Sequence, residues 1–244
     1  MSDEVTSYYQ ANEQRASSVQ ALFDRIAPSY DRINDIQSLG MHRIWKKWLW
    51  LLSRPKPGAK ILDLCCGTGD IAFLFANQGC EVAAVDFSRE MLTVARQRTA
   101  HEVTPKNQRP EFTQGDALHL PYPDETFDAL TIGYGLRNLA DFEAGLQEMT
   151  RVLKPGGHLL ILEFGKPDNP FLLAAYYTYL HIAVPMFGKL FCGDSKAYAY
   201  ILESLKHYPA QRGIHALMEA TGYEDNRILN FMGGTMSINH GVKK

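Results

Sequence analysis

Ile61-Leu62-Asp63-Leu64-Cys65-Cys66-Gly67-Thr68-Gly69-Asp70-Ile71-Ala72 is the stretch on which the fold turns. An apolar run enters a Gly-Thr-Gly bend, and a helical pattern starts directly after it. Such a strand–loop–helix unit brings backbone close to a ligand. Gly67 and Gly69 permit the tight turn and the close approach, and Ala72 is small enough for the helix to lie against the strand.

The spacing of Gly67, Gly69 and Ala72 also fits the dinucleotide fingerprint G-x-G-x-x-G/A. The neighbouring acids favour another ligand. Asp63 ends the apolar run and Asp70 follows the second glycine, so a pyrophosphate at this helix N-terminus would be repelled. S-adenosylmethionine carries a sulfonium and an ammonium there and no phosphate, and carboxylates attract it. Asp86 ends the next apolar run, about 20 residues on, as a ribose-binding acid does. The loop is read as an S-adenosylmethionine site, with an NAD-dependent oxidoreductase as the competing class.

The 244 residues fit one domain, divided as an N-terminal helical lid over 1–55 and a Rossmann-like unit over 56–244. A hydrophobic share of 45% and a charged share of 21% are those of a globular protein. The net charge of −2 argues against a nucleic-acid partner held by broad electrostatics. Cys65, Cys66, Cys80 and Cys192 form no C-x-x-C pair, so no metal is expected. Their low density, with no apolar signal core over Met1–Gln20, suggests a cytoplasmic protein.

Val19, Leu22, Phe23 and Ile26 recur at helical spacing. Gly40–Trp48 is basic and aromatic, either a cap packing its tryptophans on the core or a lid that closes over substrate. Strands are expected at Glu81–Asp86, Glu111–Gln114, Phe127–Ile132 and His158–Phe164. Helices are expected at Ile71–Asn77, from a Ser88 cap to about Thr99, at Asp141–Leu153, from Ser195 to about Ser204, and at Ala210–Thr221. Lys154-Pro155-Gly156-Gly157 reads as a helix stop. Asp116-Ala117 follows the third strand, where an acid accepts a hydrogen bond from an adenine amino group. Gly133-Tyr134-Gly135-Leu136-Arg137-Asn138 opens from the fourth strand, at the switch point where open sheets bind ligands. Pro170–Phe187 holds no charge but too many polar groups for a good membrane span. It reads as a core helix, or as one that lies on a membrane or walls a tunnel. Tyr223–Phe231 and Thr235–His240 flank Gly233-Gly234, a two-residue hairpin signal.

Four stretches carry a resemblance to the menaquinone/ubiquinone-biosynthesis C-methyltransferases. They are Phe23–Ala27 with Tyr30-Asp31 and Asn34; Ser38–Arg43 with Trp45-Lys46; Gly133–Asn138; and Arg151–Gly157 with Leu162-Glu163-Phe164. The resemblance implies the class I S-adenosylmethionine-dependent methyltransferase fold: α/β, with a seven-stranded, mostly parallel sheet and an antiparallel C-terminal hairpin edge. It implies methylation of a ring carbon of a prenylated quinol; another small-molecule acceptor, such as a phenol or sterol, is the alternative. Carried over by residue, Thr68, Asp86, Asp116, Ala117 and Gly133 would contact S-adenosylmethionine, beside Asp63, Gly67 and Gly69 already read from the loop itself. Gly133 stands where some members have a cofactor-contacting serine. Arg137, Asn138 and Tyr134 would serve catalysis, Arg137 by stabilising a phenolate. His42, His119, Tyr30, Asp31 and Tyr134 are candidate bases, beside a water relayed by Asn138. Contact with the inner face of a membrane through 170–187 and a homodimer are both compatible with these features.

Overall fold

The computed structural model describes residues 13–102, 108–192, 204–205 and 208–244, with side chains from 19 to 182 and from 204 onward within those ranges. Met1–Asn12 and most of the helix expected from Ser195 lie outside the described residues.

Seven strands form one sheet in the order β3-β2-β1-β4-β5-β7-β6. They are β1 (Lys60–Leu64), β2 (Glu81–Asp86), β3 (Glu111–Gln114), β4 (Phe127–Gly133), β5 (Leu153–Phe164), β6 (Tyr223–Phe231) and β7 (Met236–Lys243). β1 to β5 pair in parallel; β7 runs antiparallel to both β5 and β6. The central strands are mostly apolar because helices cover both faces, with Asp63, Thr131 and Glu163 as buried polar exceptions. Ile61, Leu62 and Leu64 of β1 are fully buried, as are Leu159–Leu162 of β5.

The helices are α1 (Glu13–Ile26), α2 (Tyr30–Ser38), α3 (Met41–Ser53), α4 (Asp70–Ala76), α5 (Arg89–Thr99), α6 (Phe142–Val152), α7 (Pro170–Cys192) and α8 (Ala210–Ala220). α3 and α4 supply Trp45, Leu49, Ile71 and Phe75 to the core on one face. α6 and α8 supply Leu146, Met149, Ile214 and Met218 to the other. Val19 and Leu22 of α1, Ile33 of α2, and Tyr176 and Leu180 of α7 make a third cluster. Between the two readings of Gly40–Trp48, the packed cap describes α3: Trp45 is buried, and Trp48 lies 6.1 Å from the Phe231 ring.

β2, β3 and α5 have the expected bounds, and the Ser88 side chain accepts the Met91 amide as the α5 cap. Two turns differ. Lys154–Gly157 does not simply stop α6; it bulges within β5, between the pairs Phe127↔Leu153 and Ala129↔His158. Gly156 at φ +77 makes the excursion, and Lys154 Nζ ties it down 2.6 Å from Asp128 Oδ1. The last hairpin is not a two-residue turn. Phe231 pairs with Met236, and Met232, Gly233 and Gly234 all take positive φ between them.

Candidate active site

The β1 loop is built on left-handed backbone. Cys65 (φ +51), Gly67 (φ +56) and Gly69 (φ +89) turn the chain from β1 into α4. A Cβ on Gly69 would come 2.9 Å from the Phe112 ring, so only glycine fits that bend. Gly67 N and Ser88 N both donate to the Asp86 carboxylate at 2.8 Å, which clasps the loop to the end of β2. Burial pushes the Asp86 carboxyl up to about 6, against the pull of those amides.

A cavity of about 900 Å³ opens at the carboxyl ends of β1, β2, β3 and β4. Gly67, Asp86, Asp116, Ala117, Gly133, Tyr134 and Asn138 line it. Asp63, Thr68 and Gly69 do not: Asp63 lies within β1, and Thr68 and Gly69 belong to the loop without lining the cavity. Asp63 is fully buried, with Thr131 Oγ1 donating to its Oδ1 at 2.8 Å and its Oδ2 unpartnered. Burial pushes the Asp63 carboxyl up to about 7. Thr68 Oγ1 donates to Asp31 Oδ1 at 2.6 Å. Gly133 leaves little room for a side chain, since a Cβ there would come 2.6 Å from Ile71 Cδ1. Cys65 and Cys66 remain thiols, because burial pushes both well up.

The charge balance rests on different acids from those that flank the loop in sequence. Asp70 is ion-paired with Lys46 Nζ at 2.7 Å and Arg98 Nη1 at 2.8 Å. Burial raises its carboxyl, but the two cations outweigh that and hold it well below the usual range. Asp86 and Asp116 are the charges that line the cavity, and among the described residues around it there is no lysine or arginine. Two carboxylates and no cation suit a positively charged ligand with a ribose; they do not suit a pyrophosphate. S-adenosylmethionine fits this lining.

A second cavity, about 1850 Å³ and mostly apolar, lies under α1, α2 and α7. Tyr30, Ile33, Asn34, Gln37 and Ser38 face it from one side of α2, at helical spacing. Phe23, Tyr30 and Tyr134 line both cavities, so the two abut there. Tyr134 takes φ +61, and its hydroxyl is buried without a partner. Its carbonyl accepts from Arg137 Nη1 at 2.8 Å and Asn138 Nδ2 at 3.1 Å, which folds the Tyr134–Asn138 loop on itself.

Arg137 lines the apolar cavity, buried over the Phe164 ring at 4.8 Å. Its Nη1 donates to Glu163 Oε1 at 2.5 Å, and Glu163 is itself buried. The guanidinium is therefore not a lone positive charge. Glu163 was missed as a site residue, although a signal for it exists: like Asp63 and Asp86, it is an acid closing an apolar strand. His119 is 84% exposed and lines neither cavity, which removes it as a base; His42 and Tyr30 line the apolar one. Asp31 is engaged by Thr68 and by Arg98 Nη1 at 3.2 Å.

The solved structures it is similar to include an S-adenosylmethionine-dependent methyltransferase from Thermotoga maritima, at TM-score 0.65 and 19% identity over 92% of this chain and 99% of that one. Another, from Aquifex aeolicus, matches at TM-score 0.60 and 15% identity, covering 88% and 98%. These likenesses show the fold. Among sequences, the ubiquinone/menaquinone biosynthesis C-methyltransferase UbiE of Cellvibrio japonicus is 40% identical over 95% of this chain and 93% of that protein. The demethylmenaquinone methyltransferase of Lactiplantibacillus plantarum is 39% identical over 93% and 96%. Residues 8–243 match a single family along nearly their whole length. With the sheet order, the acid-lined cavity and these relatives in agreement, the chain belongs to the ubiE/COQ5 methyltransferase family.

Proposed function

We propose that this enzyme methylates a ring carbon of a prenylated quinol of the menaquinone or ubiquinone type, with S-adenosylmethionine as donor. The observation that carries the reading is the meeting of an acid-lined cavity with a large apolar one at Phe23, Tyr30 and Tyr134. The first suits a cationic cofactor, and the second suits a ring with a long isoprenoid tail.

S-adenosylmethionine supplies an electrophilic methyl group carried on a sulfonium. Asp86, Asp116, Ala117, Gly67 and Gly133 would hold it, with Asp63 acting through space from within β1. The α1–α3 segment is a packed cap over the two cavities. It is pinned by Ser88 to Asp24 at 2.5 Å, by Thr68 to Asp31 and by Lys46 to Asp70.

A neutral aromatic carbon is a weak nucleophile, and ionising the ortho hydroxyl drives electron density onto it. A phenol titrates near 10, so bringing it down two units needs about 2.7 kcal/mol of preference for the anion. Arg137 supplies that preference in a dry site, reduced by its pairing with Glu163. Asn138 lines the cofactor cavity and orients the oxygen or a water.

The test is transfer of label from S-adenosylmethionine to reduced demethylmenaquinone and to a reduced demethyl-ubiquinone precursor, each with a short prenyl tail. Label is expected in at least one ring product. Cofactor binding with no label in either would remove the quinol assignment and leave the methyltransferase.

Contact with a membrane through 170–187 belongs to the same proposal. Among the described residues no helix is long and apolar enough to cross a membrane. α7 instead walls the apolar cavity with Leu172, Tyr176 and Leu180. Leu39, Leu172, Tyr179 and Met232 line that cavity and also reach solvent, so they mark its mouth; Phe171 beside them is 85% exposed. A polar Phe171/Leu172/Leu173 triple variant is expected to sediment with liposomes less than the parent. Equal sedimentation would remove the membrane contact.

A further inference from the structure

The apolar cavity contains buried polar atoms that methyl transfer, as described, does not use. His42 lines it and is 3% exposed. Its Nε2 lies 2.9 Å from Asp35 Oδ1, and its Nδ1 is buried with no hydrogen-bond partner. Asp35 is also gripped by Arg43, through Nε at 2.7 Å and Nη2 at 2.8 Å. Arg43 first, and His42 second, hold the Asp35 carboxyl well below its usual range. An ionised carboxylate only accepts, so Nε2 must carry the imidazole proton. Burial lowers the His42 pKa and keeps the ring neutral, which leaves Nδ1 a lone-pair acceptor. Gln37, on the cavity face of α2, has the opposite need. Its Nε2, a donor, is buried and unpartnered.

An unsatisfied buried donor and acceptor both cost free energy until something supplies the complementary group. A hydroxyl supplies both, since its oxygen accepts and its hydrogen donates; a carbonyl oxygen can only accept. We propose that His42 Nδ1 and Gln37 Nε2 read a ring hydroxyl of the acceptor, so that the cavity selects a hydroquinone over its quinone. The inference rests on the prenylated-quinol reading above. Asp35 and Arg43 are positioning residues here, because they set which imidazole nitrogen is bare. Such a reader has a purpose: quinol and quinone share shape and tail, so apolar burial alone does not separate them. Only the reduced ring has a carbon that phenolate formation can activate, and the quinone would otherwise occupy the cavity unproductively.

Equilibrium dialysis of the full chain tests this, with a labelled short-tailed demethylnaphthoquinone. It is offered once as the quinone and once as the quinol, kept reduced by dithionite without oxygen. The parent is expected to hold the quinol about tenfold more tightly, the value of one or two net hydrogen bonds. His42→Leu is expected to bring the two affinities together by weakening the quinol alone. His42→Asn, whose amide oxygen lies near the place of Nδ1, is expected to restore part of the preference. Asp35→Asn keeps the imidazole but releases its tautomer, and is also expected to shrink the preference; it stands in if His42→Leu does not fold. Unchanged S-adenosylhomocysteine affinity and melting temperature identify folded variants. Retention of the full preference in His42→Leu or in Asp35→Asn overturns the inference. A parent that binds both forms equally overturns it too and leaves the function standing. A parent that binds neither overturns both.

Discussion

Arg137→Ala is expected to lower methyl transfer by about a hundredfold or more and to destabilise the fold by about 3–5 kcal/mol. The two losses have separate causes. Turnover falls because the group that favours the phenolate is gone. Stability falls because Glu163, buried beneath the same loop and bonded to Arg137 Nη1, is left as an uncompensated charge. A second variant separates them. Arg137→Met with Glu163→Leu replaces the buried pair by apolar side chains of similar size, a change that is often neutral or stabilising. Its unfolding free energy is expected near that of the parent while its turnover stays at the level of Arg137→Ala. S-adenosylhomocysteine affinity, read by calorimetry, is expected to change little, since Arg137 lines the apolar cavity and not the acid-lined one. A double variant that turns over like the parent would show that the guanidinium serves the fold alone.

Asp63→Asn is expected to do the reverse, strengthening the fold and weakening the cofactor. Burial carries the Asp63 carboxyl from 3.8 up to about 7 in the folded chain. A group raised in this way contributes full stability below its unfolded value and loses it as pH rises through the folded one. The loss between about pH 4 and 7 amounts to at most about 4 kcal/mol. An amide has no such titration, and its oxygen still accepts from Thr131. Denaturant unfolding of the ligand-free protein should show parent and variant alike near pH 4, with the variant more stable by up to a few kcal/mol at pH 8. In the same variant, S-adenosylmethionine binding should weaken at pH 8, where the parent carboxylate is ionised within β1. A variant no more stable at pH 8 than at pH 4, relative to the parent, would show that Asp63 is not raised. A buried carboxylate kept at such a cost is the expected signature of a group retained for a ligand.

What could be read from the sequence by itself was whatever short-range physics governs. β2, α5 and β3 fell where apolar period and the Ser88 cap put them, because backbone pairing and caps act over a few residues. The Gly67–Gly69 bend was legible for the same reason, and the stretches from Phe23 to Phe164 were enough to point to the family. Their neighbours in space were not legible. Asp70 looked like an acid facing a ligand until Lys46, 24 residues before it, and Arg98, 28 residues after, closed on it. Arg137 looked like a free cation until Glu163, 26 residues on, was found against it. Charge compensation depends on which side chains packing brings within a few ångströms, and no local period encodes that. The same holds for the turns that differed. Lys154–Gly157 became a bulge because Leu153 was already paired with Phe127 in the sheet. Tertiary structure alone decided that Asp86 and Asp116 line the cavity while Asp63, Thr68 and Gly69 do not. It alone joined Phe23, Tyr30 and Tyr134 into the boundary between two cavities, since those residues come from α1, α2 and the end of β4 and meet only when the helices fold over the sheet.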